Sequence, residues 1–131
     1  TIIRIYEHRC AVCGFDGRLG TSDLALEAAH VKWYAAGGPD SEDNGLALCV
    51  LHHRLFDRGA LGLDENHQIL VSQHVVGGEQ VLHAVTRFAG RPLRQPQPGT
   101  QRVARAYIQW HQHEVFRGPA RLAEAPEASE S

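Results

Sequence analysis

The chain has 131 residues, of which 43% are hydrophobic and 21% charged, and its formal net charge is −2. This size indicates one globular domain with a modest core, and the acidic balance provides no general attraction to polyanions. No apolar run is long enough to span a membrane, and the N-terminus does not resemble a signal peptide. We therefore expect a cytoplasmic protein, and the opening TIIRIYEHRC suggests a fragment of a longer chain.

The first predicted elements lead to an isolated histidine. Residues 2–9 indicate a short helix or strand. Apolar and other residues then alternate from Asp23 to His30, which predicts a strand with Glu27 and Ala29 on one face.

The next segment combines loop, strand and helix. Residues 37–45 have loop composition, and Asp40 is interpreted as a turn residue because it follows a proline. Residues 46–49 predict a short apolar strand. Residues 52–58 predict a short helix that ends at a glycine.

The second half predicts smaller elements. Residues 60–71 indicate a β-hairpin, whereas residues 81–88 fit a strand or a helix equally well. An apolar face over residues 103–116 predicts a helix, with Thr100 as its N-cap. On this helix we expect His111 to lie at the surface.

Charge and composition change toward the C-terminus. Residues 87–105 carry five arginines and no acid, which fits either a solvated surface or a phosphate-facing strip. The composition after Gly118 is typical of a flexible tail. We therefore predict a domain over residues 1–118 and a tail over residues 119–131.

Two knuckles have metal-ligand spacing. Cys10 and Cys13 form a Cys-x-x-Cys pair, and Cys49 and His52 form a Cys-x-x-His pair. Three thiolates and one imidazole suit a closed tetrahedral Zn²⁺ site, which supports folding and has no open position for catalysis. A disulfide with a spare thiol fits less well, because the cysteine count is odd and there is no secretory signal.

A second set of polar residues follows the same stretch of chain. His30 precedes the run NGLALC-x-x-HH-x-LFDRG, which contains Asn44 and His53. This pattern resembles the HNH, or ββα-metal, nuclease family. Within that family it is similar to the nuclease domains of modification-dependent restriction endonucleases, in the group that acts on phosphorothioated DNA. The resemblance implies an α+β fold: a small zinc-stapled ββα-metal unit with flanking helices and a β-hairpin.

The resemblance also implies a role for each namesake residue. His30 matches the general base that activates water, Asn44 the residue that steadies the His30 loop, and His53 a ligand of the catalytic divalent metal. The family usually has Asp or His directly before the base, as another metal ligand, and here that position is Ala29.

Two acids are candidates to replace the missing ligand. Asp57 lies four residues after His53, so both side chains share one helix face. Glu27 shares the strand face of Ala29 and could reach the ion only if the strand end bends. We rank Asp57 slightly ahead of Glu27.

The expected cofactors and partners follow from this interpretation. Besides structural Zn²⁺, we expect a catalytic Mg²⁺ or another divalent metal such as Mn²⁺, Co²⁺ or Ni²⁺, which imidazole also suits. Lys32, Arg54 and Arg58 are candidate DNA phosphate contacts. We expect DNA as the partner, recognition by other domains of a longer chain, and a possible homodimer.

The predicted function is therefore a metal-dependent DNA endonuclease that hydrolyses phosphodiester bonds. Two alternatives remain open at this stage. One is a zinc-stapled nucleic-acid-binding module without catalytic activity, which Ala29 favours. The other is a structural zinc domain for protein assembly. Both leave the joint presence of His30, Asn44 and His53 unexplained.

Overall fold

The computed structural model describes residues 1–123. Its regular elements are short helices and three two-stranded antiparallel sheets. In chain order they are α1 (Ile2–Ile5), β1 (Arg18–Leu19), β2 (Ser22–Asp23), β3 (Leu26–His30), β4 (Gly45–Cys49), α2 (Val50–Asp57), β5 (Leu61–Leu63), β6 (Ile69–Val71), α3 (Glu79–Ala84) and α4 (Arg105–Glu114). Within residues 1–123, no helix has the length and hydrophobicity needed to cross a bilayer.

A ββα unit forms the centre of the fold. Strand β3 pairs antiparallel with β4, with His30 opposite Gly45. Every residue of β4 is buried, and α2 begins immediately after it. Helix α1 covers the sheet, and a Cβ on Gly45 would lie 2.5 Å from the Cδ1 atom of Ile2. A side chain at residue 45 would therefore require the Ile2 side chain to move.

The first cysteine knuckle is fastened to this unit through its backbone. Ala11 N–H donates to Ala47 O at 2.7 Å, and Gly14 N–H donates to Cys10 O at 2.8 Å. Gly14 has a φ of +79°, which is costly for residues that carry a Cβ. The knuckle therefore stands beside β4, close to the start of α2.

Several boundaries differ from the sequence predictions. Strand β3 begins at Leu26 rather than at residue 23, and α2 begins at Val50 rather than at residue 52. The ambiguous residues 81–88 are helical: α3 ends at Ala84, and a 3₁₀ turn spans Thr86–Phe88. The expected hairpin is present as β5 and β6.

The last helix starts later than expected, so Thr100 is not its N-cap. Helix α4 begins at Arg105, and the Thr100 hydroxyl donates to Gln97 O at 2.6 Å instead.

The prediction that His111 lies at the surface is also wrong. Its side chain is buried and stacks on Phe56 with ring centroids 3.8 Å apart. Ile108 and His111 are three residues apart, and together they form the buried face of α4.

Buried His111 should make the domain acid-sensitive. Burial, opposed by the hydrogen bond from Nε2 to Phe56 O, lowers the pKa of His111 to about 4. A histidine in an unfolded chain titrates near ~6.5, so the unfolded state takes up the proton first. The neutral His111 ring therefore makes its full contribution to the free energy of unfolding above about pH 6.5. This contribution decreases as the pH falls toward about 4, by up to about 3 kcal/mol.

Urea unfolding at pH 7 and pH 5 measures this effect. We expect His111→Gln to lose less stability between these pH values than the wild-type chain does. His113→Gln, on the exposed side of the same helix, should behave like the wild type. If all three proteins lose stability in parallel, His111 is not the source of the acid sensitivity.

Residues after the predicted domain boundary run beside β6. Gln73 N–H donates to Pro119 O at 2.9 Å, and Arg121 N–H donates to Val71 O at 2.8 Å. The boundary at residue 118 stays a prediction. Residues 124–131 of the predicted tail lie outside the described residues.

Candidate functional site

The four residues of the two knuckles meet in one cluster. The candidate ligand atoms of Cys10, Cys13, Cys49 and His52 all lie within 4.8 Å of one another. His52 Nδ1 lies 3.3 Å from the Cys49 sulfur and 3.7 Å from the Cys10 sulfur. This set of soft and borderline donors could hold a metal ion such as zinc.

The surroundings of His52 suit a metal ligand. Its Nε2 atom lies 2.8 Å from Ala84 O, so the ring donates there and Nδ1 is left as the donor atom for a metal. Burial lowers the pKa of His52, but hydrogen bonds with Cys10 and Cys49 outweigh it and raise the pKa to about 10. Hydrogen bonds from Cys13 and Cys49 hold the pKa of Cys10 far below its usual range. Such a cluster releases protons when it binds a metal.

A separate open cleft lies beside the ββα unit. Its volume is about 390 Å³. The residues that line it are Ala28, His30, Trp33, Tyr34, His53 and Asp57. The last residue of β3 and one face of α2 therefore present two histidines and a carboxylate to the same space. Asn44, the third residue of the expected set, is buried and does not line the cleft.

Asn44 is buried and holds the loop that follows β3. Its side-chain oxygen accepts from Lys32 N–H at 2.8 Å, and its Nδ2 donates to Lys32 O and to Pro39 O, both at 3.0 Å. Val31 N–H also donates to Asn44 O. One buried amide thus joins both ends of the loop, next to His30. The role that the family resemblance implies for Asn44 stays a prediction.

His53 stands between the two acids that were candidate metal ligands. Its Nδ1 lies 2.7 Å from Glu27 Oε1, and its Nε2 lies 3.2 Å from Asp57 Oδ2. Asp57 lines the cleft, whereas Glu27 is not among the lining residues described. Burial raises the pKa of Asp57, and the neighbouring His53 opposes that rise.

The two acids occupy opposite sides of the imidazole and do not converge on one point. Within residues 1–123, the Cys–His cluster is the one group in which three or more candidate ligand atoms come together. His53 and either acid therefore provide at most two neighbouring protein ligands on one side of the ring. A divalent ion there would need water or substrate oxygens to complete its shell.

The buried position of Ala29 in the core accounts for its small, apolar side chain. Its side chain is 2% exposed and belongs to the hydrophobic core, and it is paired with buried Leu46 in the β3–β4 register. A charged side chain at this position would be buried among apolar neighbours. The usual additional ligand therefore has no place here.

The candidate DNA contacts lie outside the lining of the cleft. Arg54 and Arg58 are exposed on α2 and at its end, and Lys32 is half-buried in the loop after β3.

Arg87 and Arg91, two of the five arginines of residues 87–105, stack on the Phe88 ring, at 4.2 and 5.9 Å from its centroid. These two arginines are partly occupied by protein contacts rather than standing free as a strip.

Sequence reasoning assigned Asp40 to a turn, but the structure places it against His30. The distance between His30 Nε2 and Asp40 Oδ1 is 2.5 Å. Trp33 was left open as a DNA contact or a core residue; it lines the cleft and packs edge-on against Trp110 at 5.7 Å. The Asp40 contact depends on the path of the loop, which residue spacing does not specify.

A histidine at a strand end, a buried asparagine that fastens its loop and a helical histidine opposite define a ββα-metal nuclease fold. The Cys–His cluster beside this unit could hold a metal ion. Residues 10–64 match the family model described as HNH endonuclease. This match supports the resemblance to the HNH endonuclease family that the sequence motifs indicated.

A solved structure supports this assignment. The chain is similar to a protein described as a modification-dependent TagI restriction endonuclease, with a TM-score of 0.68 and 26% sequence identity. The match covers 87% of this chain and 35% of that protein, so this chain spans about a third of its length. No curated protein matches the chain in sequence.

Proposed function

We propose that this domain is a metal-dependent DNA endonuclease that hydrolyses phosphodiester bonds. The observation that carries the proposal is the cleft of about 390 Å³ that His30, His53 and Asp57 line together. A site for phosphodiester hydrolysis needs a base for water and charge relief for the phosphate. His30 supplies the first, and His53 with Asp57 could hold the ion that supplies the second.

His30 is suited to accept a proton from water. It is the last residue of β3, its side chain is 36% exposed, and it borders the cleft. A neutral imidazole can act as general base. Asn44 keeps the adjoining loop in place through its bonds to Lys32 and Pro39.

His53 offers one ring nitrogen to a divalent ion. The shorter contact, to Glu27, favours a proton on Nδ1 and leaves Nε2 as the metal donor beside Asp57. Glu27 would then orient the ring and Asp57 would be the ligand, which keeps the order predicted from the sequence. When bound, a Mg²⁺, Mn²⁺, Co²⁺ or Ni²⁺ ion would neutralise charge on the phosphate and on the leaving oxygen.

The Cys–His cluster has a separate role in this proposal. We assign it to structural Zn²⁺, because four protein donors close the tetrahedron. We further propose that the DNA is modified, in particular phosphorothioated. The support is the sequence resemblance to that nuclease group, together with the similarity to a modification-dependent restriction endonuclease. Other domains of a longer chain would then select the modified site.

Plasmid nicking, with and without added divalent metal, tests the activity. We expect nicked or linear DNA only when a divalent metal is present. Phosphorothioated and unmodified plasmids of one sequence test the choice of substrate. A protein that shifts DNA in a gel but cuts neither plasmid at any metal concentration would be a binding module instead.

The two acids beside His53 should differ in a metal titration. Asp57→Asn removes a charged ligand and should raise the metal concentration for half-maximal cleavage by about 10- to 100-fold. Glu27→Gln keeps an acceptor for Nδ1–H and should shift the titration less. Both variants should keep the wild-type melting temperature.

Glu65→Gln, in the exposed turn between β5 and β6, serves as the charge control and should leave the titration unchanged. An unchanged titration for Asp57→Asn beside a shifted one for Glu27→Gln would reverse the assignment. If neither variant shifts, His53, solvent and substrate hold the ion.

A further inference from the structure

We propose that Asp40 is a positioning residue for the base, so that Asp40 and His30 act as a carboxylate–imidazole pair. This inference rests on the proposed nuclease function and adds a residue to its site. The observation that carries it is the 2.5 Å hydrogen bond between His30 Nε2 and Asp40 Oδ1. Neither the sequence pattern nor the family's namesake residues include Asp40.

The loop holds Asp40 in front of the imidazole. Asp40 directly follows Pro39, whose carbonyl accepts from the buried Asn44 side chain at 3.0 Å. The same side chain binds both backbone groups of Lys32, two residues after His30. Asn44 therefore sets the distance between the segment that carries the base and the segment that carries the acid.

A close backbone crossing tightens the same loop. A Cβ on Gly38 would lie only 1.8 Å from Lys32 O, and Gly38 N–H donates to Trp33 O at 2.9 Å. Only glycine permits this approach, so the backbone at Gly38 packs directly against the backbone at Lys32, just before Asp40. Although the Asp40 side chain is 75% exposed, its backbone is well anchored.

The contact of Asp40 is unlike that of an ordinary turn aspartate. Asp64, in the β5–β6 turn, accepts from the backbone N–H groups of Asn66 and Gln68 at 2.8 and 2.9 Å. That is the usual way in which aspartate stabilises a turn. Within residues 1–123, the hydrogen bond recorded for the Asp40 carboxylate goes to the His30 ring instead. Turn formation alone does not account for this arrangement.

The pairing determines which ring nitrogen can act as base. Nε2–H donates to Asp40, so the lone pair is on Nδ1, which takes the proton of the attacking water. The water O–H bond breaks as the Nδ1–H bond forms, and the hydroxide oxygen then bonds to phosphorus. The P–O bond to the leaving group breaks, and that oxygen takes a proton from solvent. Asp40 keeps its hydrogen bond with Nε2–H and stabilises the imidazolium.

Ring ¹⁵N chemical shifts of His30 test the pairing without any need for activity. In the wild-type domain at a pH where the ring is neutral, we expect mainly the Nε2–H tautomer. Asp40→Ala should lose this preference, and Asp40→Asn should increase the Nδ1–H form because an amide can donate to Nε2. Glu65→Ala removes one exposed acid elsewhere and should leave the tautomer unchanged. If Asp40→Ala has the wild-type tautomer, the proposal is wrong.

Cleavage kinetics test the consequence. Asp40→Ala should lower kcat by about 10- to 100-fold with little change in KM. This is less than the roughly 10⁴-fold loss in a buried protease triad, because water screens an exposed pair. Asp40→Asn should be at least as slow as Asp40→Ala, and Asp40→Glu should recover part of the rate. Wild-type kcat in Asp40→Ala would overturn the proposal.

The two measurements separate this inference from the function on which it rests. A wild-type domain that cleaves no DNA contradicts the nuclease proposal, and the ring tautomer then still decides whether Asp40 orients His30. A domain that cleaves DNA, with both tautomer and kcat insensitive to Asp40, keeps the nuclease proposal and removes Asp40 from the site.

Discussion

Cys49→Ala should unfold the domain. The four-residue cluster joins residues 10–13 to the start of α2, and its ligand atoms lie within 4.8 Å of one another. Structural zinc contributes about 10–16 kcal/mol of apparent binding free energy in small zinc domains, whereas domains of this size are stable by only about 5–15 kcal/mol. Losing one thiolate should therefore remove most or all of the stability.

Thermal unfolding and metal content measure this effect together. We expect the wild-type domain to hold one equivalent of zinc and to melt cooperatively, and a strong chelator should abolish that transition. The neighbouring Val50→Ala is the control, since Val50 is 49% exposed and offers no ligand atom. A Cys49→Ala protein that is soluble, cooperative and fully active would exclude a structural metal site.

The contacts of the site that could be predicted from the sequence are those between residues close together in the chain. Cys10 and Cys13 are two residues apart, as Cys49 and His52 are, and each gap is short enough for both side chains to face one point. Likewise His53 and Asp57, one helical turn apart, share a face of α2. Such contacts depend on few backbone angles, so a pattern of residues predicts them.

The parts that the sequence did not specify depend on how distant segments meet. Glu27 was expected to reach the ion only if the strand end bends, because it shares a strand face with Ala29. In the fold, α2 starts directly after β4, and β4 pairs with β3, which brings His53 within 2.7 Å of the Glu27 carboxylate. Strand alternation alone does not show this contact, because it depends on where α2 packs relative to β3.

Side-chain contacts that depend on the tertiary fold were the hardest features to predict. His111 was expected at the surface because histidine usually is, but its ring stacks on Phe56 and its Nε2 binds a helix carbonyl. Asp40 had the composition of a turn, and its partner lies ten residues earlier. In both cases a long-range packing arrangement overrides the preference of the residue type.

His30→Ala should abolish most of the cleavage while leaving the fold intact. General-base catalysis is worth about 10²–10⁴ in rate, so the variant should be slower than the wild type by that factor. The His30 side chain is 36% exposed and lies at the end of β3, so its removal leaves no buried cavity. Zinc content and melting temperature should therefore stay at wild-type values. His74→Ala removes an exposed histidine far along the chain and should cleave normally. If His30→Ala cleaves at nearly the wild-type rate, another group takes the proton from water, and the pairing with Asp40 has no catalytic consequence.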